Sequence, residues 1–316
     1  MKHQHHDEIF KVTRRDLLTE TSNAKSKNLD TFTTSQLVNL FSEEDLEPQR
    51  AVSKCIPEII NSIDYIFQRL KSGGRLFYIG AGTSGRLGVL DSSECPPTFC
   101  TPPDLVQGII AGGDASLKSS SEHLEDSHEL SINDLQHCDF SVKDCLVGIT
   151  AGGTTTYVNT ALAYARKLGA LTVSISCVPK EQVFLISDVD IRLLTGPEIL
   201  TGSTRLKAGT ATKMLLNMIS TIVMIKLGKV YGNKMVDLSV SNKKLSDRAL
   251  RILSDVADVD VEEGRRLLEL SNGSVKVSLL MAIASIDLNT ARLLLEENGQ
   301  NLREAIRQAT NINNNP

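Results

Sequence analysis

At 316 residues the chain is long enough for one large α/β domain and a smaller unit, and its net charge of −4 with a pI near 5.9 argues against a nucleic-acid surface. Tryptophan is absent and aromatic residues make up only 4%, which removes the stacking platforms that bases and glycans use. The six cysteines (Cys55, Cys95, Cys100, Cys138, Cys145 and Cys177) show no CxxC pairing and read as reduced structural thiols of a cytoplasmic protein.

The chain opens on a hydrophilic stretch without a signal-peptide core, in which His3, His5 and His6 are expected to form a tail rather than a metal site. Residues 19–35 are rich in Ser, Thr and Asn and read as an arm rather than core. Two helices are expected between 34 and 70, the second with Ile56, Ile59, Ile60, Ile63 and Phe67 at helical spacing. Short apolar strands are then expected at 75–79, 105–111, 145–150, 171–177 and 189–194, alternating with helices such as 158–168. Repeated strand–helix units of this length call for a parallel sheet covered by helices on both faces. The segment 205–227 reads as a mostly buried helix; its longest apolar run, broken by Asn217, is shorter than the ~20 residues that span a bilayer. Beyond about 241 come charged helical segments at 247–257, 261–270, 275–284, 288–297 and 301–308. The expected organisation is an arm and first helix over 1–45, a ligand-binding α/β domain over 46–240, and a small helical domain with an Asn-rich tail over 241–316.

The densest chemistry lies where the first strand ends. Gly80, Gly82, Thr83, Ser84, Gly85 and Arg86 form a glycine-and-hydroxyl turn leading into a helix start. Free backbone N–H groups, hydroxyls and the positive end of a helix dipole then converge on one point, which suits a phosphate. The three glycines also satisfy the G-x-G-x-x-G dinucleotide pattern, which alone is weak. A dinucleotide site expects an acidic residue at the end of the second strand about 20 residues on; here Asp114 falls 29 residues past Gly85. Hydroxyls within the turn instead favour the terminal phosphate of a sugar.

Two further turns resemble the first. Gly152, Gly153, Thr154, Thr155 and Thr156 follow the 145–150 strand, and Ser203, Thr204 and Lys207 follow the last, with Glu198 just before them. Any one Ser or Thr here could be an ordinary helix N-cap. Turns after several parallel strands converge at the C-terminal sheet edge, where α/β proteins bind ligands, and that convergence favours a site.

Two carboxylates attract notice. Glu94 stands about two turns past the glycines, before Pro96 and Pro97, where regular helix cannot continue; a solvated surface residue is the plain alternative. Glu125 lies in a polar stretch expected to be helical, and residue type alone does not rank it above Glu122 or Asp126.

At these residues the chain resembles the N-acetylmuramic acid 6-phosphate etherases. The matching segments are 19–23, 74–98, 110–113, 124–127, 196–214, 232–233 and 235–237, and the run from Gly80 to Pro97 is long and specific. The resemblance implies the SIS-type sugar-isomerase fold, a parallel sheet flanked by helices, assembled as a homodimer with sites near the subunit interface. It implies cleavage of the C3 lactyl ether of a phosphorylated amino sugar in cell-wall recycling, with no metal or organic cofactor. By motif position Glu94 corresponds to the general acid and Glu125 to the base, and the binding set comprises Gly82, Thr83, Ser84, Gly85, Arg86, Gly153, Thr154, Thr155, Glu198, Ser203 and Lys207. The chain departs from the family in its second turn, which usually reads Ser-Gly-x-Thr-Pro, often with Arg at x. Here Gly152 replaces the serine, Thr154 stands at x and Thr156 replaces the proline. Two other readings fit the same fold: an aldose–ketose sugar-phosphate isomerase, and a non-catalytic sugar-phosphate sensor.

Overall fold

The computed structural model describes residues 13–119, 124–238 and 243–314; His3, His5, His6 and Glu122 lie outside them. Polar segment 13–33 forms short 3-10 turns, and it does not stand apart from the core. Leu17 is 2% exposed and packs with Val178, Val183 and Leu185, while Thr19, Asn23 and Ser26 are also buried. What reads as an arm is a strap laid on the α/β unit.

Three helices follow where two were expected: α1 (Thr34–Glu44), α2 (Glu47–Ser53) and α3 (Ile56–Lys71). The extra break comes from Pro48 and Pro57, each tolerated only in the first turn of a new helix. On α3 Ile59, Ile63, Ile66 and Leu70 form the buried stripe, while Ile56 and Ile60 stay exposed.

The sheet is built from β1 (Leu76–Gly80), β2 (Val106–Ile110), β3 (Cys145–Ile149), β4 (Leu171–Ser176) and β5 (Val189–Arg192). All neighbours pair in parallel, in the order β2-β1-β3-β4-β5. β1, β3 and β4 are buried at every position, as strands covered on both faces must be. Between strands run α4 (Gly82–Ser93), α5 (Cys95–Phe99), α6 (Ala115–Lys118), α7 (His128–His137) and α8 (Thr156–Leu168). α4 lies close on β1 and β2: a Cβ at Gly85 would meet the Gly80 carbonyl oxygen at 2.6 Å, and one at Gly108 would meet the Val89 Cα at 2.5 Å. The glycines of this motif therefore serve helix–strand contact as well as the turn.

After β5 comes α9 (Lys207–Lys226), long and apolar enough to cross a membrane by length and composition, yet with Ala208, Ala211, Leu215, Leu216 and Ile219 buried in protein. Chain contacts divide the molecule into two units. The first takes in residues up to Ser93 and Asp104–Ser220; the second takes in Glu94–Pro103 and Thr221–Pro316.

Besides α5 and the end of α9, the second unit holds, among the described residues, a two-strand hairpin, β6 (Val230–Tyr231) with β7 (Lys234–Met235), and the helices α10 (Lys243–Ala257), α11 (Val261–Leu270), α12 (Val275–Ala284), α13 (Leu288–Glu297) and α14 (Leu302–Asn314). α12 is buried on nearly all sides, so its neighbours pack around it. Lys276 on α12 is 2% exposed and donates to Asp237 at 2.6 Å; burial lowers its pKa, opposed by that carboxylate.

Candidate active site

The strand order reverses between β1 and β3, the switch point at which open α/β sheets bind ligands. Both glycine-hydroxyl turns issue from these adjacent strands. Gly82, with φ +52°, turns the chain from β1 into α4, whose first N–H groups have no partner within the helix. After β3, Gly153 (φ +75°) turns the chain toward α8, and its carbonyl accepts from the Asn159 amide at 3.0 Å. Thr155 occupies the N-cap of α8 without a side-chain capping bond and accepts instead from the Thr150 hydroxyl at 3.0 Å.

These turns line a cleft of about 440 Å³, a size suited to one small ligand. Its walls are Ala81, Gly82, Thr83 and Ser84 from the first turn, Ala151, Gly152, Thr154 and Thr155 from the second, Thr204 ahead of α9, and Glu125. The remaining wall is the N-terminal strap, through Arg14, Arg15, Leu17 and Glu20. Sequence patterning gave no role to these four; the Leu17-Leu18 pair within a polar stretch was the one signal that the strap is anchored.

Glu125 is not on a helix. It lies half-buried in the turn ahead of α7, where Ser127 accepts the Leu130 N–H as N-cap. Its backbone carbonyl accepts the Tyr157 N–H at 2.9 Å, which fixes this turn against the start of α8.

Other expected contacts go elsewhere. The Arg86 guanidinium donates to the carbonyls of Ser116 (2.8 Å), Leu117 (3.2 Å) and Ser119 (3.2 Å), so it caps the end of α6 instead of facing the cleft. Lys207 is 2% exposed and donates to Glu44 at 2.6 Å. Glu198, 1% exposed, accepts the N–H groups of Lys207 (3.0 Å) and Ala208 (2.9 Å) and so caps α9; burial raises its pKa, against the pull of those donors. Gly85 and Gly153 shape their turns without lining the cleft, and Ser203 yields its place on the wall to neighbouring Thr204.

Glu94 is exposed, at the residue between α4 and α5, and does not line this cleft. α4 has 12 residues and runs away from the turn, which puts its far end ~18 Å along the axis. Among the described residues no group of three or more His, Cys, Asp or Glu is gathered to hold a metal.

A parallel sheet with hydroxyl-bearing turns at its switch point defines a sugar-isomerase-type α/β domain, and residues 58–166 match the model of the glucokinase regulatory protein N-terminal SIS domain. Relatives named N-acetylmuramic acid 6-phosphate etherase match nearly the whole chain. One from Prochlorococcus marinus (strain MIT 9313) is 61% identical over 298 residues, covering 94% of each chain. Another, from strain NATL1A, is 63% identical over 92% of this chain and 94% of its own, and one from Synechococcus sp. (strain CC9902) is 59% identical over 93% of each. The chain belongs to the N-acetylmuramic acid 6-phosphate etherase family. Among solved structures, phosphoheptose isomerase GmhA from Neisseria gonorrhoeae aligns with a TM-score of 0.45 at 16% identity over 60% of this chain and 97% of that one, too distant a likeness to bear on function.

Proposed function

We propose that the protein cleaves the C3 D-lactyl ether of N-acetylmuramic acid 6-phosphate, giving N-acetylglucosamine 6-phosphate and D-lactate. Beyond family membership, the observation that carries this is that the Gly82–Ser84 turn and Glu125 line one cleft.

The chemistry explains the need for two proton-transferring groups. In the open-chain sugar the C1 aldehyde acidifies the C2 proton. A base removes that proton, the C3–O bond breaks, and an acid protonates the departing lactate oxygen. Water then adds at C3 of the unsaturated aldehyde while a proton returns to C2. Glu125 is the proposed base, supported by its place on the cleft. The turn holding the phosphate supplies binding energy remote from the reacting carbons.

Glu94 is the proposed acid by motif. Glu94 is not among the residues lining the cleft, so it would serve the cleft of a second copy, and a homodimer in the cytoplasm is part of the proposal. Glu20 is the competing donor, favoured by its own place on the cleft wall.

The test is release of D-lactate from the substrate by the purified protein without added metal. An isomerase would exchange the C2 proton and release no lactate, and a sensor would do neither. Activity abolished by a chelator and restored by a divalent ion would overturn the metal-free mechanism.

A further inference from the structure

Helices α4 and α8 begin at the cleft, and Thr204 precedes α9; these turns offer N–H groups and hydroxyls but no cation. Both carboxylates on the wall, Glu20 and Glu125, oppose an anion. A phosphate monoester carries about −1.5 to −2 charge at neutral pH. Among the described lining residues, positive charge comes from Arg14 and Arg15 alone.

These two arginines sit on the 3-10 turn Arg14–Asp16, which is held in place from beneath. Leu17 is buried against Val178, Val183 and Leu185. The Gln182 side chain clamps the strap on both sides, accepting the Leu18 N–H at 2.9 Å and donating to the Asp16 carbonyl at 3.0 Å. Arg14 is drawn partly aside by Asp126, at 3.3 Å. No ion pair among the described residues engages Arg15, whose exposed side chain stays on the cleft wall.

We propose that Arg15, presented by the strap that Leu17 and Gln182 anchor, is the counter-charge for the substrate phosphate and selects the phosphorylated sugar over the neutral one. The inference deepens the etherase reading and rests on it for the identity of the substrate. A guanidinium suits the task, because its planar fork of donors matches phosphate oxygens and its charge does not titrate. Its contribution is formed in the ground state and kept through the reaction, so it acts on KM and leaves kcat nearly unchanged.

The experiment compares wild type, Arg15→Gln and Arg15→Lys in steady-state kinetics, with dissociation constants for inorganic phosphate and N-acetylglucosamine 6-phosphate measured by calorimetry. Arg15→Gln is expected to raise KM roughly 10–100-fold, the loss of one charge-assisted contact, with kcat little changed. Both dissociation constants should rise in parallel, and Arg15→Lys should recover most of each. Thermal unfolding should stay at the wild-type temperature, because the side chain is exposed.

An unchanged KM in Arg15→Gln overturns the proposal. So does a raised KM with unchanged phosphate and N-acetylglucosamine 6-phosphate binding, which would assign Arg15 to the lactyl carboxylate. Absence of lactate release by wild type would defeat the etherase reading instead, and the calorimetric phosphate binding would still decide the role of Arg15.

Discussion

The carbonyl of Glu125 accepts the backbone N–H of Tyr157 at 2.9 Å, so the candidate base is tied to the first turn of α8 and thereby to the Thr154–Thr155 wall of the cleft. Tyr157 is itself fully buried, with its hydroxyl donating to Asp134 on α7. Burial, then that hydrogen bond, holds its phenol far above the usual tyrosine range, so it remains a neutral donor. The backbone of a loop residue is thus tied to α8, whose Tyr157 is tied in turn to α7.

Amide variants should separate the carboxylates. Glu125→Gln is expected to lose both lactate release and deuterium exchange at C2 by ~10²–10⁴-fold, because nothing removes the C2 proton. Glu94→Gln should release little lactate yet still wash deuterium from heavy water into recovered substrate. If Glu20→Gln shows that second pattern while Glu94→Gln keeps near-full activity, Glu20 is the proton donor. Mixing Glu94→Gln with Glu125→Gln chains should restore some activity if Glu94 serves a partner's cleft.

Gly152→Ser should lower KM severalfold. Gly152 is not in the left-handed region, and a Cβ there would sit in ordinary contact, 3.6 Å from the Thr19 hydroxyl oxygen and 3.7 Å from Leu17. The Thr19 hydroxyl is buried with no hydrogen-bond partner among the described residues, and the new serine could satisfy it as well as adding a donor to the cleft. Gly153→Ser should instead be destabilising by ~1–2 kcal/mol, because φ is +75° and Val183 lies 3.0 Å from the new Cβ. Equal thermal shifts in the two variants would contradict this account.

Arg86→Ala should lower stability by ~1 kcal/mol through the carbonyls it leaves at the end of α6, with little change in KM. A tenfold rise in KM at unchanged unfolding temperature would return Arg86 to the phosphate.

Acid should act through Glu44. Burial alone would raise its pKa, but hydrogen bonds from Lys207 (2.6 Å), Lys25 (2.8 Å) and Asn23 (2.7 Å) outweigh it and bring the carboxyl down from an ordinary 4.5 to about 2. The folded pKa lies below the unfolded one, so the stabilisation is complete above about pH 4.5 and is lost as pH falls toward 2. Its size is on the order of 3 kcal/mol. Denaturant titrations from pH 7 to 3 should show this loss in wild type and a flatter profile in Glu44→Gln, which also strands the buried Lys207 ammonium at a cost of ~3–5 kcal/mol.

The five parallel strands, the helix after each turn and the helical C-terminal segments were legible in sequence, because apolar runs and 3.6-residue spacing are local signals that burial enforces. The glycine-hydroxyl turns were legible for the same reason: only certain residues tolerate a left-handed bend next to an N–H-rich helix start. Which charged residues reach the cleft was not legible. Arg86, Glu198 and Lys207 lie beside the turns in sequence, yet a side chain of several rotatable bonds goes to whichever carbonyl, N–H or buried partner the fold brings within 3 Å, and each found one away from the cleft. Conversely, Arg14, Arg15 and Glu20 come from a polar stretch with no periodicity. They stand on the wall because Gln182, more than 160 residues later, and the pocket for Leu17 hold their backbone there. Local chemistry determined the elements and the glycine-hydroxyl turns; long-range packing, which no window of sequence contains, decided which charges face the cleft.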